Sequence, residues 1–254
     1  SSDLDTAVKS VLEDAAAFKE FAKAVLPQPS KPEDEAKLKD ELQAWYLPYH
    51  TIMSKSLPTA DPWGPGRLDA LGMIFNRLTG LDIGTGPDHM IPGNIRVADA
   101  PTRYPFLWNA TKQDRTQWPG IAENGNDLLG LARNLGEVYG VFGIFHPKKD
   151  PKIPFLGVDY VSENSADFAG LLTLESLIKK IGPPKFPWPI DEKLAQEGEA
   201  IFNRPTKENG CVECHGIRPG ETRFPDHKTW DTPIQNVGTD TRELKLLGRT
   251  ADSG

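Results

Sequence analysis

Apolar residues recur at helical spacing through the first 26 positions. Leu4, Val8, Val11, Leu12, Ala15, Phe18, Ala22 and Val25 fall on one face, and the pattern predicts an amphipathic helix over 3–26. Ser2 and Asp5 stand three apart, as in a capping box, and Pro27 ends the pattern. PQPSKP (27–32) reads as a turn-rich link. A second helix is expected over 33–46, closed by Pro48, which has no N–H to give an interior turn. A third is expected over 68–78, with Leu68, Leu71, Phe75 and Leu78 on one face. Residues 79–107 are rich in Gly, Pro and Asp and predict irregular chain. Further helices are expected over 126–139, opened by Asn126, and over 165–181, capped by Ser165. Phe168, Leu171, Leu172, Ile178 and Ile181 would form the buried stripe of the latter.

The patterning then breaks. GPPKFPWPID (182–191) packs four prolines into seven residues, which neither a helix interior nor a central strand accepts. A new helical stretch, EKLAQEGEAIF (192–202), follows. The expected organisation is a loop-rich helical domain over 1–185 and a second module over 186–254. Strand signals are weak throughout, so the expected fold class is mainly α.

Composition narrows the function without naming it. The chain has 254 residues, with 23 glycines and 23 prolines, which suits a loop-rich globular protein. Its net charge is −7. No basic stripe is present to neutralise phosphates, so nucleic acid is not an expected partner; a basic redox partner is compatible with the charge. The longest strongly apolar run, near Tyr139–Phe145, is far too short to cross a bilayer. The chain opens SSDLDTAV, without the basic and apolar regions of a signal peptide, as a processed mature protein would.

The chemistry-bearing motif is CVECHG, residues 211–216, which holds both cysteines. A structural zinc site needs four ligands, usually as two pairs, and no second cysteine pair exists. The remaining histidines, His50, His89, His146 and His227, lack the spacing of a histidine pair. A thioredoxin-type motif needs a preceding strand, whereas the polar loop RPTKENG precedes this one. C-x-x-C-H is also the attachment pattern of c-type haem. One helical turn puts Cys211 and Cys214 on the same side for two thioether bonds, and His215 follows as the proximal iron ligand. This reading accounts for all three residues.

LAQEGEAIFNRPTKENGCVECHG closely resembles the start of a class I cytochrome c module, in which a helix with Gly-x-x-x-Phe leads into C-x-x-C-H-G. Gly198 and Phe202 match. The resemblance implies that another helix crosses at Gly198 and that Phe202 packs near the haem edge. Because haem c is attached outside the cytoplasm, it also implies a periplasmic or otherwise exported protein. With both cysteines used by haem, no disulfide is expected.

The segment 101–142 carries Pro-x-x-x-Asn-Ala, Gln-Trp-x-Gly and a Leu-rich helix, and TPIQNVGTD follows the haem motif at 232–240. Together they resemble the di-haem cytochrome c peroxidase superfamily, over about residues 100–254; more distant oxygenases of that superfamily fit equally. The fold implied is a peroxidase-like helical domain followed by a cytochrome c-like haem module. The departures are plain. The first domain has no C-x-x-C-H of its own, and Pro119 stands where the family has Asp. Trp118 matches the family's electron-relay position, but with a single haem motif a packing role is expected. Asn109 matches an asparagine near an interdomain calcium, which makes calcium a possible second cofactor.

The distal side of the iron is open in this reading. Met53, Met73 and Met90 all precede the motif, and His227 is the only histidine after His215, so His227 is the distal candidate. TRELKLLG (241–248) is short for the helix that closes a class I pocket. The haem module is therefore expected to be incomplete and to need a redox partner protein or a further polypeptide segment. The implied function is a haem c redox protein, read as a peroxidase-like oxidoreductase that transfers electrons or activates peroxide or oxygen. The alternative is a non-catalytic mono-haem electron carrier.

Overall fold

In the computed structural model, residues 2–57, 63–140, 143–153 and 157–253 are described. Val141 and Phe142 of the expected apolar run, and the side chain of the expected cap Ser2, lie outside the description. Among the described residues about 48% are helical, in nine helices with a few short strands, so the mainly-α expectation holds at that level.

The first helical pattern is two helices. α1 (Ser2–Glu13) and α2 (Ala15–Val25) are separated at Asp14, whose extended backbone frees its carboxylate to accept Ala16 N (2.7 Å) and Ala17 N (3.0 Å). Apolar periodicity passes through such a break unchanged: α1 packs Val8 and Leu12 on the core and α2 buries Phe18 and Ala22, while Leu4 and Val25 stay exposed. Asp5, the expected capping-box partner, turns instead to His50 Nδ1 at 3.0 Å.

α3 (Pro32–Ser56) runs straight through Pro48, contrary to the expected stop. Tyr46, Tyr49, Ile52, Met53 and Ser56 are buried on its second half. That burial outweighs a lost backbone hydrogen bond worth about 3 kcal/mol or more.

β1 (Arg67–Leu68) leads into α4 (Ala70–Leu81) and later pairs antiparallel with β2 (Thr102–Arg103). β3 (Arg115–Thr116) and β4 (Ala122–Glu123) form a second two-residue pair. α5 (Asp127–Gly140) starts as expected, with Asn126 Oδ1 accepting Leu129 N at 2.9 Å. β5 (Lys148–Lys149) pairs with β6 (Val158–Asp159). α6 (Phe168–Ile178) is capped by Asp167 and not by Ser165, whose hydroxyl accepts Ile144 N.

The expected stripe on α6 is buried only in part: Phe168, Leu171 and Ile178 are half-buried on the face they share with Glu175. The one buried residue of α6 is Glu175, while Leu172 (42%) and Ile181 (42%) stay exposed. α7 (Glu192–Phe202) has the expected bounds. α8 (Val212–His215) is the motif turn; β7 (Pro219–Arg223) and β8 (His227–Trp230) make a hairpin; α9 (Arg242–Lys245) follows.

Two compact units result, and they are interleaved along the chain. One comprises residues 1–103, 138–166 and 246–254; the other comprises 104–137 and 167–245. Their divisions therefore fall elsewhere than residue 185.

The first unit is built on α1, α3 and α4, with Tyr46, Tyr49, Ile52, Met53, Met73, Leu81 and Ile95 in its core. Asp69 organises one edge. Buried, it accepts Gly72 N (2.8 Å), Asp99 N (3.1 Å) and Ala100 N (3.2 Å). The chain returns to this unit at its end, where Asp252 N and O bond the Asn94 side chain, both at 2.9 Å.

The second unit is held by polar groups more than by apolar packing. Arg223 donates to Asp114 O and Asn124 O, both at 3.1 Å, tying the β7–β8 hairpin to the 113–124 segment. Asn124 Nδ2 donates to Ala110 O and Gln113 O, both at 2.8 Å.

Candidate haem attachment site

The site begins at the end of α7. The chain leaves Phe202 through Pro205–Asn209 and returns so that Cys211 N donates to Phe202 O at 3.0 Å. Asn209 makes the reversal in the left-handed region, at φ 59. A Cβ at Gly210 would lie 1.7 Å from Arg204 O, so only glycine fits this return.

Cys211 opens α8, and its carbonyl accepts Cys214 N (3.2 Å) and His215 N (2.8 Å). That single turn sets the relation between the three residues. The turn closes at Gly216, where a Cβ would meet Val212 O at 2.4 Å. The glycines on both sides of CVECH therefore hold the motif by close backbone contact.

Both thiols are free. Cys211 is exposed, and Cys214 is half-buried. Gln235, from the segment after β8, donates to Cys214 Sγ. The 232–238 stretch singled out in the sequence is thus brought to the motif. His215 is exposed and, among the described residues, makes no side-chain hydrogen bond. The Glu213 side chain bonds Thr206, and its hydrogen bond with the Thr206 side chain, first, holds its carboxyl below the usual range. Arg218, just after the motif, pairs with Asp231 at 2.7 Å.

Around the turn lie apolar side chains open to water. Ile201 (45%), Phe202 (37%), Ile217 (71%), Ile234 (61%) and Val237 (66%) are all exposed. A Cβ at Gly198 would meet nothing within 4 Å, so among the described residues no helix crosses α7 there. The crossing implied by the class I resemblance is absent from the described structure.

Known protein families, curated proteins and solved structures offer no match to this chain. What the turn can hold is set by its own residues. They suit a covalent haem. Two free thiols and an unbonded imidazole stand on one turn beside exposed apolar side chains that a porphyrin would cover.

His227, the expected distal ligand, lies at the end of the β7–β8 hairpin away from this turn. His227 pairs with Arg223 at the turn end of the hairpin, while Pro219 and Trp230 pair at the end next to α8. Three residue steps along β8, about 10 Å, separate His227 from Trp230. His227 lies instead within electrostatic reach of Asp127, whose carboxyl is held low first by its hydrogen bond with Lys179. Met53 and Met73 are buried in the core of the first unit, and Met90 packs against that core.

Trp118, expected to pack, is 67% exposed, on a turn where Gln117 has φ 67. Asn109 is also in the left-handed region, at φ 60. Among the described residues no three His, Cys, Asp or Glu side chains gather as a metal site, so calcium at Asn109 would depend on amide and carbonyl oxygens.

Sequence reasoning missed Gln235. Its only signal is its place inside TPIQNVGTD, and the contact with Cys214 depends on the β7–β8 hairpin folding back.

Proposed function

We propose that this chain is a c-type haem redox protein. Cys211 and Cys214 hold the porphyrin through two thioethers, and His215 is the proximal ligand of its iron. A single observation carries the reading: both thiols are free on the turn that also presents His215, beside exposed Phe202, Ile217 and Ile234. When bound, the haem supplies one-electron chemistry at an iron whose potential is set by its axial ligands and surroundings.

The chain's own residues anchor and orient the group. Gly210 and Gly216 fix the turn, and Gln235 restrains Cys214. Phe202 and Ile217 cover porphyrin edge that water would otherwise wet. We read the protein as a peroxidase-like oxidoreductase acting after export. A redox partner or a further polypeptide segment covers the remaining apolar surface.

Expression with a cytochrome c maturation system tests the reading. A haem that stays with the chain on a denaturing gel, at one per chain, is expected; chain with no covalent haem overturns it. Peroxide then divides the enzyme from the alternative carrier. Peroxide-dependent oxidation of a reduced donor supports the enzyme, and a low-spin spectrum indifferent to peroxide supports the carrier.

A further inference from the structure

Within the first unit, two histidines meet beside a buried carboxylate, and the haem motif uses none of the three. Asp82 ends α4 and is 3% exposed. Its Oδ1 lies 3.6 Å from His146 Nδ1 and 3.8 Å from Arg77 Nη2, while its Oδ2 is buried with no hydrogen-bond partner. His89 stacks on the His146 ring, with 4.1 Å between centroids and 16° between planes. Backbone contacts place both residues. His89 is in the left-handed region at φ 55 on the 84–91 turn, where its carbonyl accepts Gly84 N at 2.8 Å. His146 lies on the loop after α5, and its backbone N–H donates to Glu163 O at 3.0 Å.

The surroundings select the His146 tautomer. Asp82 Oδ1 and the Asp82 main-chain carbonyl both favour a proton on Nδ1. The neutral ring then carries its hydrogen on Nδ1 and keeps a free lone pair on Nε2. Because Nδ1 is buried, the 22% exposure of the side chain belongs to the rest of the ring. Among the described residues, neither His146 Nε2 nor the His89 ring makes a hydrogen bond.

An imidazole held through one nitrogen by a carboxylate, with the other nitrogen free, is the arrangement of a metal-ligating histidine. His89 supplies a second imidazole beside it. Rings in nearly parallel planes do not both aim at one ion, so one must turn; the His89 ring has no hydrogen bond to lose in turning. Tetrahedral bonds of about 2.0–2.1 Å put two nitrogens about 3.3 Å apart, within reach of rings stacked this closely.

The charges nearby suit a cation. Glu163, bonded by Lys148, lies within electrostatic reach of both histidines. Arg77 opposes a cation, but its guanidinium is directed to Tyr139 O (3.3 Å) and Gly143 O (2.7 Å). Positive charge on Nε2 polarises the Nδ1–H toward Asp82 and offsets the cost of burying that carboxylate.

We propose that His89 and His146 bind a borderline divalent metal ion of the zinc, copper or nickel type, with Asp82 orienting His146 and water filling the open positions. The site is separate from the haem motif and does not depend on the haem reading.

Zinc is the probe, added to the full chain carrying Cys211→Ser and Cys214→Ser so that the motif thiols do not compete. One zinc per chain should move the imidazole nitrogen resonances of His89 and His146 together and leave those of His50 and His227 in place. The same resonances in the wild-type chain with excess zinc give this answer without substitution. His146→Phe and His89→Phe should each abolish the shift of the remaining partner. Asp82→Asn, which keeps the size of the side chain, should weaken binding roughly 10- to 100-fold. Each variant should keep its far-UV circular dichroism spectrum. Resonances of His89 and His146 that stay fixed in excess zinc overturn the site, as does unchanged zinc affinity in any of these folded variants.

Discussion

Arg133 Nη2 and Glu175 Oε2 meet at 2.7 Å, with side chains 12% and 3% exposed. The pair joins α5 to α6 inside the second unit. Asn134 Nδ2 donates to the same Glu175 oxygen at 3.1 Å, and Arg133 Nη1 donates to Asn124 Oδ1 at 2.6 Å. Gly130 faces Glu175 so closely that a Cβ would lie 2.7 Å from Oε1. A charged network thus sits on the α6 face that also carries half-buried Phe168, Leu171 and Ile178.

Removing one partner leaves a buried charge without compensation. Glu175→Ala is expected to cost about 3–5 kcal/mol in urea unfolding. Arg133→Met combined with Glu175→Leu should cost less than the sum of the single variants, because no charge is then stranded. Additive losses in that cycle would show that the two side chains do not act as a pair.

The haem anchors should separate from the fold. Cys211→Ser with Cys214→Ser is expected to abolish covalent haem on a denaturing gel. Either single variant should keep a haem attached through one thioether, with a shifted pyridine haemochrome band. The circular dichroism of the apo chain should be unchanged, since neither thiol is in the core.

Asp82 makes stability depend on pH with a definite sign. Its folded value, about 7, stands above the 3.8 of the free side chain, so the folded chain holds the extra proton between those values. The contribution is full below about pH 4 and is lost as pH rises through about 7, by at most about 4 kcal/mol. The difference in unfolding free energy between wild type and Asp82→Asn should therefore fall across this window and level off above it. A difference that rises with pH would contradict the burial of this carboxyl.

Pro48 is carried inside α3 at a cost. Pro48→Ala restores an N–H where α3 lacks one, and is expected to raise stability by about 1–3 kcal/mol. A loss would show that Pro48 is needed to seat Tyr49 and Ile52.

The sequence by itself determined whatever depends on neighbours in the chain. α7 has the expected bounds, Asn126 caps α5, and the C-x-x-C-H spacing puts its three residues on one turn. These follow from local hydrogen bonds and helical period, which a few consecutive residues specify.

The tertiary structure decided where burial and distant partners compete with local preference. It carried α3 past Pro48 because Tyr49, Ile52 and Met53 had a core to enter. It buried Glu175 within the apolar stripe of α6 because Arg133, 42 residues earlier, was there to neutralise it. It brought Gln235 to Cys214 across a hairpin and left His227 at that hairpin's far end. It also set Asp82 against His146, 64 positions away in the chain, a pairing no periodicity announces. Periodicity and spacing report a residue's chain neighbours, whereas a buried charge is determined by what the fold places opposite it.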